Sequence, residues 1–434
     1  MQLQMFEVQG LFMKYNYKIV FPTTADNEDK ASLIILYGLN GVGKTTLLAM
    51  INGLMQLDFD PFRAVPFKSA RLTFNDNLFI SVIPQTSKSK DKEKIILKVT
   101  FDNKSVDLHV KAKGAYDVNS QALVYEFRER YFEHTKDVTV DFISIDRLRR
   151  LARETRQPQL QLQSRNAIVH ERPVSRDEIT QPYINAPRFV QQEPHDERSI
   201  SKRIQIFIRE AQLEHGRFFS IGQPDLFTKI IERITNPSAE VFSPADLMQR
   251  LEKIRKSDEI AERFHLMRER WDYPQLRNIL TESKSNKSKQ HVMPIIGSYI
   301  EVMESRAQER DLLAQRLSTF EEVVNDFLLD KKIRVDAQEG LTICTENENL
   351  LNELQLSSGE YHLLYLLSTV MTTRRRGTVI AVDEPEMSMH IVWQRKLLPA
   401  MLRCASMAQP QLIVATHSPE IAGGYPDQCL NLGE

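Results

Sequence analysis

The first 37 residues alternate apolar and polar positions in MQLQMFEVQ and NYKIVF, then end in the apolar run Leu33, Ile34, Ile35, Leu36, Tyr37. Alternation marks a strand buried on one face, and an unbroken apolar run marks one buried on both. The pattern predicts two half-buried strands and one central strand. A glycine-containing turn follows at once, and Thr46 to Met55 (TLLAMINGLM) is apolar enough to be a helix packed against a sheet. From about 70 to 145 the segments RLTF, LFISVI, KIILKVTF, SVDLHV and VTVDFISI are separated by polar turns, the longest being SKSKDKEK at 87–94. These segments are expected to form an antiparallel sheet beside the central strand.

Residues 147–176 break the pattern with eight arginines against two glutamates. They read as a basic contact surface or as a linker. Helical periodicity then covers 200–215, 225–234, 244–270 and about 295–330. In the last of these, Leu313, Leu317, Phe320, Val324 and Phe327 recur at spacings of four and three, which makes one apolar stripe. Its expected partner is the 244–270 helix across the polar stretch TESKSNKSKQ, giving a helical hairpin or a compact helical subdomain. The stripe is too short for an extended coiled coil. From 332 the pattern returns to α/β: a strand pair at KKIRVDA and GLTICT, the pentapeptide LSSGE, a helix YHLLYLLSTVMTT, a strand TVIAVDE, a helix over about 390–407 and a strand QLIVATHS. The expected division is a core half with an antiparallel subdomain at 1–145, a basic linker at 146–200, a helical insertion at 201–331 and the second core half at 332–434.

The candidate chemistry sits at the ends of these apolar runs. Gly38, Leu39, Asn40, Gly41, Val42, Gly43, Lys44, Thr45 matches GxxxxGK[ST] between a strand and a helix. Glycines there let successive backbone N–H groups face phosphate oxygens, and the helix N-terminus adds positive potential. Lys44 is placed to reach the β- and γ-phosphates and the Thr45 hydroxyl to ligate Mg2+. With only 15 glycines in the chain, three within six residues is not casual. Asp383 and Glu384 close an apolar strand, so one carboxylate can hold Mg2+ and its neighbour can orient or deprotonate the attacking water. An acidic pair alone is commonly a solvated strand end; this one follows Ser357 by 26 residues (383 minus 357) and precedes His417 by 34 (417 minus 383). Ser357, Ser358 and Gly359 open a helix, which by itself is an N-cap and in this company a second anion site. His417, after QLIV, can contact the γ-phosphate or the water.

In that order GxNGxGKT, LSSGE, a hydrophobic strand ending in DE, and ATHSPE resemble ABC-type ATPases. The EPE of DEPEMSMH resembles the soluble branch of RecF, Rad50 and SMC heads and OLD-like ATPases. The resemblance covers about 1–60 and 335–425. It implies an α/β head with a P-loop, split by the antiparallel subdomain and a short coiled-coil-like helical insertion. It also implies two ATP molecules sandwiched between heads, with Lys44 and Asp383 of one chain facing Ser357 to Gly359 of the other, and a dimer-contact loop at Glu386 to His390. The expected nucleotide contacts are Gly38, Asn40, Gly41, Gly43, Lys44, Thr45, Thr46, Ser357, Ser358 and Gly359, with Thr45 and Asp383 on the metal and Glu384, Lys44 and His417 in catalysis. Met389, His390, Ile391 depart from the Leu-His-Pro of OLD-like proteins, and FISIDRLRR at 142–150 stands without a glutamine at about the place of a glutamine loop, either as a strand end joined to the basic linker or with Asp146 and Arg147 near the nucleotide.

A net charge of −1 (57 basic, 58 acidic) neither demands nor excludes nucleic acid, so any basic surface is local. The three cysteines have no CxxC spacing, and no apolar run reaches the roughly 18 residues of a membrane span. A cytoplasmic protein without a membrane partner is expected. Only 17 residues follow His417 (434 minus 417), so the Toprim nuclease of OLD proteins is not expected after it. The chain thus resembles the stand-alone ATPases of bacterial anti-phage systems such as PARIS and Septu, and the expectation is an oligomeric ATP switch that controls a separate effector, a nuclease. The alternative is a RecF- or Rad50-like clamp that binds DNA through the heads and 147–176. The 339 residues between Lys44 and Asp383 (383 minus 44) and the EPE loop set it apart from transporter ATPases.

Overall fold

The computed structural model describes residues 2–22, 32–75, 78–85, 95–101, 104–110, 127, 129, 131, 140–143, 199–213, 243–266, 272–282, 286–375, 377–405 and 408–433. Its first half carries β1 (Leu3–Leu11), β2 (Tyr15–Val20), β3 (Ser32–Tyr37), α1 (Lys44–Gln56), α2 (Asp60–Ala64), β4 (Ser69–Phe74), β5 (Phe79–Gln85), β6 (Ile95–Phe101), β7 (Lys104–Val110) and β8 (Val140–Ile143). Then come α3 (residues 200–213), α4 (Pro244–Arg263), α5 (Tyr273–Glu282) and α6 (Asn286–Asn325). The second half adds β9 (Lys331–Asp336), β10 (Gly340–Thr345), β11 (Leu350–Leu351), α7 (Ser358–Thr372), β12 (Val379–Asp383), α8 (Ile391–Ala405), β13 (Gln411–Thr416), α9 (Pro419–Ala422) and β14 (Cys429–Asn431).

The apolar runs make a parallel sheet in the order β14-β3-β13-β12-β8. Both ends of the chain therefore build it. The alternating segments make a six-stranded antiparallel sheet, β2-β1-β4-β5-β6-β7. One expected member is not in it: VTVDFISI supplies β8, which pairs parallel with β12. Phe142 packs against one core and Ile143 is buried in the other, so this edge strand uses both of its faces. The two sheets are tied by a buried amide clamp, in which Leu3 N–H donates to Gln411 Oε1 at 2.9 Å and Gln411 Nε2 donates to the Leu3 carbonyl at 2.8 Å.

Successive strand residues point to opposite faces, and the parallel sheet uses both. Ile34, Leu36, Val379, Ala381, Ile413 and Ala415 face a core shared with α1 and the antiparallel sheet. Leu33, Ile35, Ile380, Val382, Leu412 and Val414 face the other core, which holds α3, α7, α8 and the C-terminal part of α6. Leu363, Leu366, Leu367, Val370 and Met371 of α7 are fully buried there, each side chain contributing about 1.5–3 kcal/mol.

The helical insertion differs from a hairpin. α4 and α6 touch through Arg250 with Glu304, Ser257 with Asp311, Asp258 with Arg310 and Arg263 with Glu321. From Arg250 with Glu304 to Arg263 with Glu321 the partner number rises with the residue number, so the two helices run parallel, and α5 lies between them in the chain. The expected helix start near 295 moves to Asn286, inside the polar stretch taken for a linker. The stripe Leu313, Leu317, Phe320, Val324, Phe327 is buried as expected, yet it faces the main core together with Ala261 and Phe264 of the α4 end. Leu247, Leu251, Ile254, Ile300 and Met303 form a separate core farther out. The expected helix at 225–234 lies outside the described residues. Cys344, Cys404 and Cys429 are free thiols, and burial pushes Cys404 up to about 12.

Candidate active site

The turn between β3 and α1 is braced on two sides. Gly43 has a left-handed φ of 98°, and a Cβ there would lie 3.0 Å from the Phe12 ring and 3.1 Å from Leu11. Glycine satisfies both demands. No side chain caps α1 and its first turn holds no acid, so its N–H groups and positive end remain for an anion. The Tyr17 hydroxyl donates to the Val42 carbonyl at 2.9 Å. Behind the turn, Leu432 N–H donates to the Tyr37 carbonyl at 2.8 Å. The buried Lys44 ammonium donates to the carbonyls of Gly38 at 2.7 Å and Leu39 at 3.1 Å. Asn40, Gly41 and Thr45 are exposed and Thr46 is half-buried.

Asp383 ends β12 beside this turn and is hydrogen-bonded by the Thr45 side chain. Burial pushes its carboxyl up to about 6; Thr45 and Lys44 oppose the shift, and the Glu384 and Glu386 charges add to it. Its Oδ1 is buried without a partner. An orphaned carboxylate oxygen next to a hydroxyl is a donor set for a hard divalent cation, and Mg2+ keeps most of its other ligands as water or phosphate oxygens. Among the described residues no cluster of three or more His, Cys, Asp and Glu side chains could hold a metal alone. Thr45 and Asp383 therefore fit a cation that arrives with a nucleotide.

Glu384 has a left-handed φ of 46°, uncommon for a residue with a side chain, and its N–H is held by the Ala415 carbonyl at 2.8 Å. His417 Nδ1 stands 3.8 Å from Glu384 Oε1 and 3.2 Å from Glu386 Oε1. Glu386 Oε1 also accepts from Thr416 Oγ1 at 2.6 Å, His417 N–H at 2.9 Å and Ser418 N–H at 3.2 Å. The resemblance put Glu386 in a dimer-contact loop. Its side chain instead points inward and fastens the end of β13, and of the stretch from Glu386 to His390 only Ser388 and His390 are exposed.

At the pentapeptide, Ser357 Oγ accepts from Glu360 N–H at 3.3 Å while Glu360 Oε2 accepts from Ser357 N–H at 2.7 Å, a capping box. The plain N-cap reading is thus present in the geometry, and Ser357 and Ser358 are nevertheless exposed. Lys331 Nζ holds Glu360 at 2.8 and 2.9 Å. Burial acts to raise the Glu360 carboxyl, but Lys331 and the Ser357 bonds outweigh it and hold the group below its ordinary value. Gly359 is buried against the Ser388 carbonyl, closer than any Cβ could approach. His362 Nδ1 bonds the Met387 carbonyl at 2.9 Å, so α7 rests directly on the loop that follows Glu384.

The structure brings together Lys44, Thr45, Asp383, Glu384 and His417. Ser357 to Gly359 are not with them in the same way: α1 and α7 pack on opposite faces of the parallel sheet. Asp146, Arg147 and the whole of 147–176 lie outside the described residues. Tyr17, Lys331 and His362 went unread in sequence, and Glu386 was read only as part of the contact loop, not as the residue that fastens β13. Only Glu386 had a signal, its place in EPE.

The AAA_15 family profile, an AAA ATPase domain, matches residues 15–422. A 73-residue segment is 40% identical to the uncharacterized protein MJ1637 of Methanocaldococcus jannaschii, a match spanning 16% of this chain and 15% of that protein. Among solved structures, the Smc head domain with an extended coiled coil bound to the C-terminal domain of ScpA from Pyrococcus furiosus is 11% identical, over 97% of this chain and 91% of that one, at a TM-score of 0.36. The SMC head domain from Thermotoga maritima is 10% identical, over 98% and 92%, at 0.33.

Proposed function

Because the chain belongs to the AAA ATPase domain family, we propose that it hydrolyses ATP to ADP and phosphate at a site shared between two copies of itself. The observation that supports sharing is the placement of α1 and α7 on opposite faces of one sheet. The two helix N-termini lie on opposite faces of the sheet, each open to a phosphate group of its own, and a second chain supplies the missing half of each. Exposed Leu39 in the glycine turn, and exposed Leu354, Ile391 and Val392 near the pentapeptide, offer apolar surface for that closure.

In this reading the α1 turn cradles the phosphates, Lys44 leaves the Gly38 and Leu39 carbonyls for phosphate oxygens, and Thr45 and Asp383 hold Mg2+. The cation, when bound, neutralises charge on the phosphate oxygens. Glu384 accepts a proton from the attacking water, and His417, oriented by Glu386, donates a hydrogen bond to the γ-phosphate or that water. Ser357 and Ser358 of the second chain place hydroxyls and helix-terminal N–H groups where charge develops. The role follows from the resemblance stated above: a sensor or regulator of a separate effector, a nuclease, in anti-phage defence. A DNA clamp is the second reading, favoured by the eight arginines of 147–176, and salt-titrated DNA binding separates the two.

The test is ultracentrifugation of Glu384→Gln with Mg-ATP, ADP, or ATP plus chelator. Dimers with Mg-ATP alone are expected, and Ser358→Arg should stay monomeric and inactive while still binding ATP. A monomer whose specific activity is independent of protein concentration, with Ser358→Arg fully active, sinks the shared site.

A further inference from the structure

The glycine turn has a brace that the phosphate chemistry does not use. Tyr17 projects from β2 of the antiparallel sheet, and its hydroxyl donates to the Val42 carbonyl at 2.9 Å across 25 residues. Val42 and Gly43 share one peptide plane. No peptide bond in the described chain is cis, and in a trans peptide the C=O and N–H point in opposite directions. Fixing the Val42 oxygen toward Tyr17 therefore fixes the Gly43 N–H to point the other way. We propose that Tyr17 is a positioning residue for the phosphate site: its hydroxyl sets the Val42–Gly43 peptide so that the Gly43 N–H faces a bound phosphate oxygen.

Without this pin the peptide is free to flip. Gly43 has no Cβ to resist, and its φ of 98° belongs to a residue with two accessible basins. A flipped peptide would present a carbonyl oxygen to an anion. The ring is itself held: it stacks on Tyr15 with centroids 5.6 Å apart, and Lys14 lies over Tyr15 at 4.7 Å. Burial, then the Tyr15 neighbour, raises the Tyr17 pKa, so the phenol keeps its proton and stays a donor throughout the working pH range. Phe12 and Leu11 close on Gly43 from the same sheet. The antiparallel sheet thus sets the shape of a turn that belongs to the parallel one.

The inference rests on the phosphate-site reading, and the experiment separates the two. Titrate ATP, ADP and adenosine by calorimetry into wild type, Tyr17→Phe and Lys44→Ala, and record apo melting temperatures and steady-state kinetics. Tyr17→Phe keeps the ring and loses one hydrogen bond, so Kd for ATP and ADP should rise about three- to tenfold. Adenosine binding and kcat at saturation should stay as in wild type, and the apo melting temperature should fall by no more than the loss of one hydrogen bond entails. Tyr17→Leu should give the same pattern if the Phe variant aggregates. If Lys44→Ala binds ATP normally, the phosphate-site reading fails. If Lys44→Ala loses ATP but Tyr17→Phe binds ATP and ADP as wild type does, only the Tyr17 inference fails. A fall in apo stability with unchanged nucleotide affinity would equally overturn it, because the residue would then be merely structural.

Discussion

Gly359→Ala should uncouple the pentapeptide from the 384–390 loop of its own chain. A Cβ at this position meets the Ser388 carbonyl oxygen well inside 3.0 Å, a separation that side chains do not tolerate. The obstacle is backbone on both sides, so no rotamer change relieves it. Restoring ordinary contact requires α7 and the 384–390 loop to part by about 1 Å. The His362 to Met387 bond, now 2.9 Å, spans the same gap and would stretch past hydrogen-bonding range; His362 is buried, so the loss leaves an unpaired polar atom. Overpacking costs about 1–3 kcal/mol, and a displacement of about 1 Å near reacting groups costs on the order of a hundredfold in rate. Differential scanning calorimetry and steady-state ATPase kinetics read the two effects, with Gly424→Ala as control because a Cβ there meets nothing within 4 Å. Gly359→Ala should melt several degrees lower and lose at least tenfold in kcat, while the control matches wild type. A Gly359→Ala protein with wild-type melting and wild-type kcat would refute rigid contact between α7 and the loop.

Two further substitutions probe the ties between elements. Lys331→Met removes the ammonium from Glu360 and should cost about 1–3 kcal/mol at neutral pH, since a mostly buried carboxylate loses its partner. Because the folded Glu360 carboxyl lies below its ordinary value, its contribution is complete above the unfolded value of about 4.3 and is lost as pH falls through the folded one. The stability gap between wild type and Lys331→Met in urea titrations should therefore shrink toward zero as pH drops below about 4; a gap independent of pH would show that Lys331 acts through packing. Gln411→Leu strands the buried Leu3 N–H and carbonyl and should cost at least about 2 kcal/mol, read as a lower urea midpoint, whereas an unchanged midpoint would show that the clamp contributes nothing.

The elements of the candidate site were legible because each lies on a contiguous stretch. Gly38 to Thr45 and Asp383–Glu384 are strand ends, and a strand end followed by glycine or acid can be read locally. Strand pairing is not local. VTVDFISI has the composition of either sheet, and only β12 beside it decides which. Periodicity likewise fixes which face of a helix is apolar but not which way its neighbour runs, so α4 and α6 could be recognised as partners without their parallel direction. Tyr17, Lys331 and Glu386 reach their partners across 25, 29 and 30 residues, and a single tyrosine, lysine or glutamate carries no mark of such a contact.

The interleaved sheet also governs the order in which this protein can be made. β3 leaves the ribosome early, but both of its sheet neighbours, β13 and β14, lie beyond residue 410. Synthesis at about 5–20 residues per second keeps the glycine turn waiting for tens of seconds or less than a minute and a half. Throughout that interval α1 lacks β13 beneath it, and the Leu3 edge lacks Gln411. The candidate nucleotide site is likewise incomplete until Asp383 and Glu384, and then His417, have been translated. Stabilisation by ligand therefore comes late in synthesis, and any product cut short before β13 leaves β3 with uncovered edges, an aggregation hazard.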